Sequence, residues 1–296
     1  MDKLLTIFTP LYNRSKYLQL LYNSILSNAS YPLEWLIIDD GSLDKPQYII
    51  DSFSKNDKVE INLIKKENGG KHTAYNLALK EAKGKFFLCL DSDDTLISDS
   101  LNNIFKFFNT DIQNDNIGVI ALKCTSNGKL LSKQINKPKN FITLFDLYQK
   151  MKGKGEYAYI FPTEIARKYP FPVFEDEKFI SESVIYNRMS LNNIRFLYTD
   201  VLLMQCDYLE DGLTSKISIN QKKYPKGFTL EYCERVLLPN SFKMRLIDAS
   251  KFWAFRFRCK KIYLENFKWN LLFILSMPIG FCLYIYYTWR FNKIKK

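Results

Sequence analysis

Four short stretches of the sequence carry residue types and spacings that could do chemistry. Asp91-Ser92-Asp93-Asp94 follows the apolar run Phe86 to Leu90. Carboxylates placed where a strand breaks into a loop can hold a divalent cation that bridges phosphate oxygens, and such an ion needs only one or two of them. The same four residues would also make a solvated acidic turn capping the next helix. Asp39 and Asp40 close another apolar run, LEWLII, and precede Gly41-Ser42. One carboxylate there can accept hydrogen bonds from a ribose hydroxyl or a base N–H, with Gly41 letting the backbone turn close to a ligand; an Asx turn leading to Ser42 and Asp44 accounts for the same residues. Glu67-Asn68-Gly69-Gly70-Lys71-His72-Thr73 joins a strand to a helix. Two glycines and a helix start can turn backbone N–H groups toward an anion, and Lys71 adds charge; a flexible turn with Thr73 as N-cap is the plainer alternative. The spacing is not that of a P-loop. The fourth stretch holds Glu175, Asp176, Glu177 and Glu182. Glu182 shares a helical face with Ile185 and Met189, so its carboxyl points to the apolar side, where it can serve as a general base. Alternatively it favours the helix dipole and pairs with Arg188.

These groups need elements to hold them, and hydrophobic periodicity supplies a set. Leu4 to Thr9, Leu33 to Ile38, Val59 to Lys65 and Phe86 to Leu90 are runs rich in Ile, Leu and Phe, as expected of strands buried on both faces. Between them the spacing predicts helices over Tyr17 to Leu26, with Asn13 or Ser15 as N-cap, over Gln47 to Ser54, and over Thr73 to Ala82, closed by Gly84. Such alternation predicts an α/β fold with a mostly parallel, doubly wound, Rossmann-like sheet flanked by helices. Ligands of such sheets lie off the carboxyl ends of the strands, where both aspartate clusters fall. Farther on, Ile117 to Cys124 reads as a strand, Asn127-Gly128 as a tight turn, and Phe141 to Met151 and Ser181 to Leu191 as helices.

Composition narrows the chemistry. With 47% hydrophobic and 25% charged residues among 296, the chain can bury a large core. The six cysteines never form a CxxC pair, so neither a zinc ribbon nor a secreted disulfide framework is indicated. His72 is the single histidine, so any metal must be held mainly by oxygen ligands, and His72 itself reads as a packing or hydrogen-bonding residue. The apolar run before Asn13 and Arg14 is too short for a secretory signal, so no export is expected.

Taken together, TIFTPLYNR, LEWLIIDDGSLD, ENGGKHTAYNLALKEAKGKFFLCLDSDD and FEDEKFISESVIYNRM resemble the family 2 glycosyltransferases in order and spacing, over roughly residues 3 to 215. The resemblance implies the GT-A fold. It also implies an inverting, single-displacement transfer of a sugar from a nucleotide-sugar donor, usually a uridine diphosphate sugar, to a hydroxyl of a saccharide or lipid-linked acceptor in surface polysaccharide synthesis. Carried over to this sequence, Pro10, Tyr12 and Asp39 would line the nucleobase pocket, and Gly70 and Lys71 would lie near the nucleotide. Asp91 and Asp93, with Ser92 between them and Asp94 beside them, would contact ribose, diphosphate and a Mn²⁺ or Mg²⁺ ion. Asp93 and Glu182 are the implied catalytic pair. Glu182 takes the place of the family's general base, often part of an Glu-Asp pair; Ser183 follows it here, and Asp176 and Glu177 are fallbacks. Tyr208 to Ser215 resembles a loop that closes over the donor. A nucleotidyltransferase would be expected to carry a glycine-rich basic loop after the first strand, where this chain has Thr9-Pro10-Leu11-Tyr12-Asn13-Arg14. A catalytically inactive, membrane-tethered nucleotide-sugar-binding protein is the other alternative.

The net charge of +12 is concentrated at one end: from Lys251 onward there are ten basic residues and one acid, Glu265. Interleaved Phe252, Trp253, Phe255, Phe257, Tyr263, Phe267 and Trp269 suit an anionic lipid headgroup layer better than nucleic acid. Trp269 to Trp289 then runs 21 residues without a charge, interrupted by Pro278 and Gly280. It is long enough to span a bilayer and equally able to lie in the interface as two half-helices. The expected division is a catalytic domain over 1–250 and membrane-associating helices over 251–296, with the protein on the cytoplasmic face of the cell membrane, peripheral or single-span.

Overall fold

Each buried apolar run in the first half of the chain becomes a strand: β1 (Leu5–Leu11), β2 (Leu33–Asp39), β3 (Val59–Lys65) and β4 (Phe86–Cys89). Every residue of β2 is buried, which explains why it reads as one unbroken apolar stretch. Four further strands follow: β5 (Thr95–Leu96), β6 (Gly118–Cys124), β7 (Tyr157–Pro162) and β8 (Phe196–Gln205). The computed structural model describes residues 3–53, 56–110, 116–207, 216–262, 264 and 271–293.

The eight strands form one sheet in the order β3-β2-β1-β4-β7-β6-β8-β5. The β1–β2, β2–β3, β1–β4 and β6–β8 pairs are parallel, whereas β7 runs antiparallel to both β4 and β6, and β5 to β8. The expected mostly parallel sheet is therefore present. Register aligns its functional edge: Leu11 lies opposite Asp39 and Asp39 opposite Lys65, so the chain leaves β1, β2 and β3 at one level.

Helices α1 (Leu18–Leu26), α2 (Gln47–Ile50), α3 (Lys71–Glu81), α4 (Ser100–Thr110) and α5 (Thr163–Ala166) accompany the sheet. Three differ from expectation. A 3₁₀ turn over Ser15–Tyr17 precedes α1, and no side chain caps it. Asn13 instead has φ 53° and its Oδ1 accepts from Leu43 N at 2.8 Å, while Asp44 Oδ2 accepts from Ser15 N at 2.7 Å. Helix α2 is a single turn that buries no residue, so nothing supports a longer helix there; Ser54 lies outside the described residues. Helix α3 starts two residues early because Gly70, at φ 92°, makes the turn, and the Thr73 hydroxyl donates to Gly70 O at 2.9 Å inside the first turn. The helix expected over Phe141 to Met151 contracts to a π turn at Asp146–Lys150, where the Asp146 carboxylate accepts from Thr143 N and Oγ1 at 3.1 and 2.9 Å.

The chain divides into two compact units, Met1–Pro170 with Ile194–Asp207, and Phe171–Asn193 with Tyr208–Lys296. The first contains the sheet. The second is helical: α6 (Ser183–Leu191), α7 (Ile217–Lys223), α8 (Pro225–Arg235), α9 (Phe242–Arg256) and α10 (Leu271–Lys293). The boundary expected at residue 250 falls inside α9. Its core is aromatic, with Phe228, Tyr232, Phe252, Trp253, Phe255, Phe273 and Phe291 buried together. Trp253 Nε1 donates to Phe273 O at 2.7 Å, and α10 crosses α9 so closely at Gly280 that a Cβ there would lie 2.8 Å from Ser250 O and against Trp253. Helix α10 continues through Pro278 without a break, so the two half-helices do not form.

Candidate active site

Asp39 ends β2 and is buried, its Oδ1 accepting from Ser42 N at 2.7 Å. That Asx turn and Gly41, at φ 84° with Asn68 N close to where a Cβ would be, fold the chain back at the sheet edge. Asp40 organises the neighbouring loop. Its Oδ1 accepts from Gly69 N at 2.9 Å and Lys66 Nζ at 2.6 Å, and its Oδ2 from Gly70 N at 2.8 Å and Asn68 Nδ2 at 3.2 Å. The backbone N–H groups of the double glycine, read from sequence as anion donors, therefore already face an anion, and it is Asp40. Lys71 leaves this loop and reaches across to Asp91, Nζ lying 2.8 Å from Oδ2 and 2.7 Å from Oδ1.

The turn after β4 holds the second cluster, closed by Asp94 N donating to Asp91 O at 3.0 Å. Asp93 pairs with Arg14, which follows β1. Ser92 is buried. Asp94 is buried too, and burial pushes its carboxyl up to about 7, with Asp91 and Asp93 adding to the rise and Lys123 opposing it. Burial also presses Lys123 down, but the carboxyl groups of Asp94 and Asp91 nearby act to raise it and favour its protonated form. Pro10 lies on β1 beside Ile38, and Tyr12, just past β1, is half exposed. Buried His72 on α3 is lowered by burial to about 4, so it is neutral at pH 7 and packs as expected.

The first unit thus gathers Pro10, Tyr12, Asp39, Gly70, Lys71, Asp91, Ser92, Asp93 and Asp94 on one edge of one sheet. Three cations at this edge were not among the sequence candidates: Arg14, Lys66 and Lys123. Among the described residues no group of three or more His, Cys, Asp or Glu is arranged around a common point. Mg²⁺ and Mn²⁺ ask less than that, one or two carboxylates completed by phosphate oxygens and water. Asp91, whose side chain is 38% exposed, and Asp93 are hard oxygen donors that fit this requirement.

Glu182 belongs to the second unit, at the N-cap of α6, half-buried and accepting from Tyr186 Oη at 3.0 Å. Arg188, its expected ion-pair partner, donates from Nε to Glu234 at 2.8 Å. Asp176 is paired with Lys226 Nζ at 2.5 Å, and Glu177 accepts from Lys226 N and Gly227 N at 2.6 and 2.8 Å, capping α8. Burial pushes Glu177 up to about 6 although these two N–H groups pull it down. Both fallback bases therefore have structural duties, Asp176 as the partner of Lys226 and Glu177 at the start of α8. Tyr208 to Ser215 lies outside the described residues.

A sequence model described as Glycosyl transferase family 2 matches residues 6–171, more than half of the chain. The minor teichoic acid biosynthesis protein GgaA of Bacillus subtilis is 28% identical over 250 residues, covering 80% of this chain and 54% of GgaA. The poly(ribitol-phosphate) β-N-acetylglucosaminyltransferase TarS of Staphylococcus aureus is 30% identical over 105 residues, 34% of this chain and 18% of TarS. The chain thus spans about half the length of GgaA and less of TarS. Among solved structures, TarS 1-349 of S. aureus in complex with UDP-GlcNAc superposes with a TM-score of 0.61 at 20% identity, covering 95% of this chain and 81% of that one. The mannosyltransferase PcManGT from Pyrobaculum calidifontis, in complex with GDP-Man and Mn²⁺, gives a TM-score of 0.56 at 15% identity, covering 96% and 74%. The fold is that of these enzymes, a GT-A-like α/β sheet flanked by helices.

Proposed function

The chain belongs to glycosyltransferase family 2, and we propose that it transfers a sugar from a uridine diphosphate donor, with inversion, to a hydroxyl of a saccharide or lipid-linked acceptor in surface polysaccharide assembly. The observation that carries the proposal is the single sheet edge on which Asp39 and the Asp91-Ser92-Asp93-Asp94 turn stand among Arg14, Lys71 and Lys123. TarS, solved with UDP-GlcNAc, supports the choice of donor, and the names of GgaA and TarS support the pathway.

In this reading Asp39, Pro10 and Tyr12 receive the base and ribose, and Gly70 contributes its left-handed turn rather than its N–H, which Asp40 holds. Asp91 and Asp93, with Asp94 beside them, would hold Mn²⁺ or Mg²⁺, which when bound supplies positive charge to a departing diphosphate. Arg14 and Lys71 are poised to do the same from the protein, since each already stands at a carboxylate of that turn. Glu182 accepts the proton of the acceptor hydroxyl as its oxygen attacks the anomeric carbon.

Helix α10 supports a membrane-facing role. Its buried face carries Leu272, Phe273, Ser276 and Gly280, while Leu271, Ile274, Leu275, Met277, Ile279, Phe281 and Ile285 are exposed. It is long and apolar enough to cross a bilayer. One face of α10, with Leu272, Phe273 and Phe291, packs into the aromatic core of the second unit, which leaves only the other face for lipid. We therefore favour a helix lying in the interface on the cytoplasmic face, where nucleotide sugars are found.

The test is donor binding and turnover by the purified full chain across a panel of nucleotide sugars, with and without Mn²⁺. One donor should be turned over with metal; Asp93→Ala should lose donor binding; Glu182→Gln should keep it and lose about 10²–10⁴-fold in transfer. Assembly of a sugar nucleotide from a nucleoside triphosphate, or donor binding without any turnover, would replace the proposal by one of its alternatives.

A further inference from the structure

The second unit contains a cavity of about 450 Å³ that the sugar-transfer reading does not use. Lys223 at the end of α7, Arg258 just past α9, and Lys260 and Lys261 contribute four cations to its lining. The carboxylates that share it are already engaged: Asp176 holds Lys226 Nζ, and Glu177 holds the first N–H groups of α8. None of Lys223, Lys260 and Lys261 forms an ion pair among the described residues. With Lys226 the lining carries five cations against two carboxylates, a surplus of positive charge that an entering anion relieves.

Arg258 ties this basin to α10. Its Nη1 donates to Thr288 Oγ1 and its Nη2 to Lys222 O, both at 3.4 Å, and its guanidinium lies 4.8 Å over the Phe291 ring. Its Nε is buried with no hydrogen-bond partner. The guanidinium is thus fixed with an N–H left over on each Nη, and a planar donor of this kind suits phosphate oxygens. On α10 itself, Ile285, Tyr286 and Trp289 are exposed next to Thr288. The Arg258 charge therefore reaches a helix that carries exposed apolar surface.

We propose that this basin binds a terminal phosphate or diphosphate group carried on a lipid, with Lys223, Lys260 and Lys261 supplying charge and Arg258 a fixed guanidinium beside the apolar surface of α10. The proposal rests on the membrane reading above. It assigns the second unit a role of its own, which is to seat a phosphorylated lipid head at the surface where α10 lies.

The test uses the full chain and phosphatidylcholine vesicles containing either phosphatidic acid, whose phosphate is terminal, or phosphatidylglycerol at matched surface charge. The wild type should prefer phosphatidic acid, and pyrophosphate should compete. Lys223→Ala combined with Lys260→Ala, both at exposed positions, should weaken that binding about 30-fold and erase the preference. Lys129→Ala combined with Lys168→Ala removes the same charge from the first unit and should change it by less than about 2-fold. Equal losses in both double variants, or vesicle binding without preference, would sink the basin while leaving the membrane reading intact. Binding of pyrophosphate alone, with no preference between vesicles, would assign the basin to soluble phosphate and overturn the lipid. Failure of the wild type to bind any vesicle would remove the membrane reading as well.

Discussion

Asp40 in the sheet unit and Glu177 in the helical unit do the same job in different surroundings. Each accepts two successive backbone N–H groups at the start of a helix, Gly69 and Gly70 before α3, Lys226 and Gly227 at α8. Asp40 also takes the Lys66 ammonium and the Asn68 amide, so it is the hub of a loop; beside Glu177 the Lys226 ammonium is held by Asp176 instead. The difference teaches that an acidic residue in a chemically suggestive stretch can be an internal counter-ion, and that the number of groups it satisfies measures how much structure depends on it.

The comparison can be broken most directly at Asp40. Asp40→Ala leaves a partly buried ammonium and two N–H groups without their acceptor and is expected to cost about 3–5 kcal/mol in chemical denaturation. Glu177→Ala should cost about 1–2 kcal/mol, as for a lost helix cap; equal losses would show that the hub and the cap are not different in kind.

Acidity sharpens the contrast because the two units should respond in opposite directions. His72 has its folded pKa lowered from 6.5 to about 4, so its contribution is complete above 6.5 and is lost as pH falls toward 4, about 3 kcal/mol in all. Glu177 is raised from 4.5 to about 6, so its contribution is complete below 4.5 and is lost as pH rises through 6, about 2 kcal/mol. Amide exchange followed from pH 4 to 6.5 should show α3 gaining protection while α8 loses it, and His72→Gln and Glu177→Gln should each flatten their own helix. Parallel trends in both helices would contradict the assignment.

Smaller effects belong to the helical unit alone. Gly280→Ala forces a methyl between α10 and Ser250–Trp253 and should lower thermal stability by about 1–3 kcal/mol. Asp176→Asn removes a largely exposed carboxylate from its pair with Lys226 and should stay within about 0.5 kcal/mol; a larger loss would make that pair part of the α8 cap.

Much of the sheet was legible because burial on both faces writes itself as continuous apolar sequence: β3 falls where Val59 to Lys65 was read, and β2 differs by one residue. The starts of α1 and α3 were not, since the chain at Asn13 and Gly70 is turned by tertiary contacts to Leu43 and Asp40 that no local pattern carries. The aspartate turns and Lys71 were visible, whereas Arg14, Lys66 and Lys123 were missed. Yet Arg14 and Lys66 stand one to three residues beyond the ends of β1 and β3, on the edge where the aspartates were already expected, so the rule that located the acids applies to the bases too. Lys123 lies within β6, and only the fold brings it to Asp94.

The pairs Lys71–Asp91 and Arg14–Asp93 have a thermodynamic consequence for whatever anion arrives there. A free lysine or arginine carries about 2 kcal/mol of rotamer entropy that a ligand must normally suppress. Here folding has already done so, and the same pairings have stripped part of the water from both cations. A diphosphate therefore meets a preorganised receptor, and its affinity is set by the exchange of one anion for another rather than by the ordering of flexible side chains.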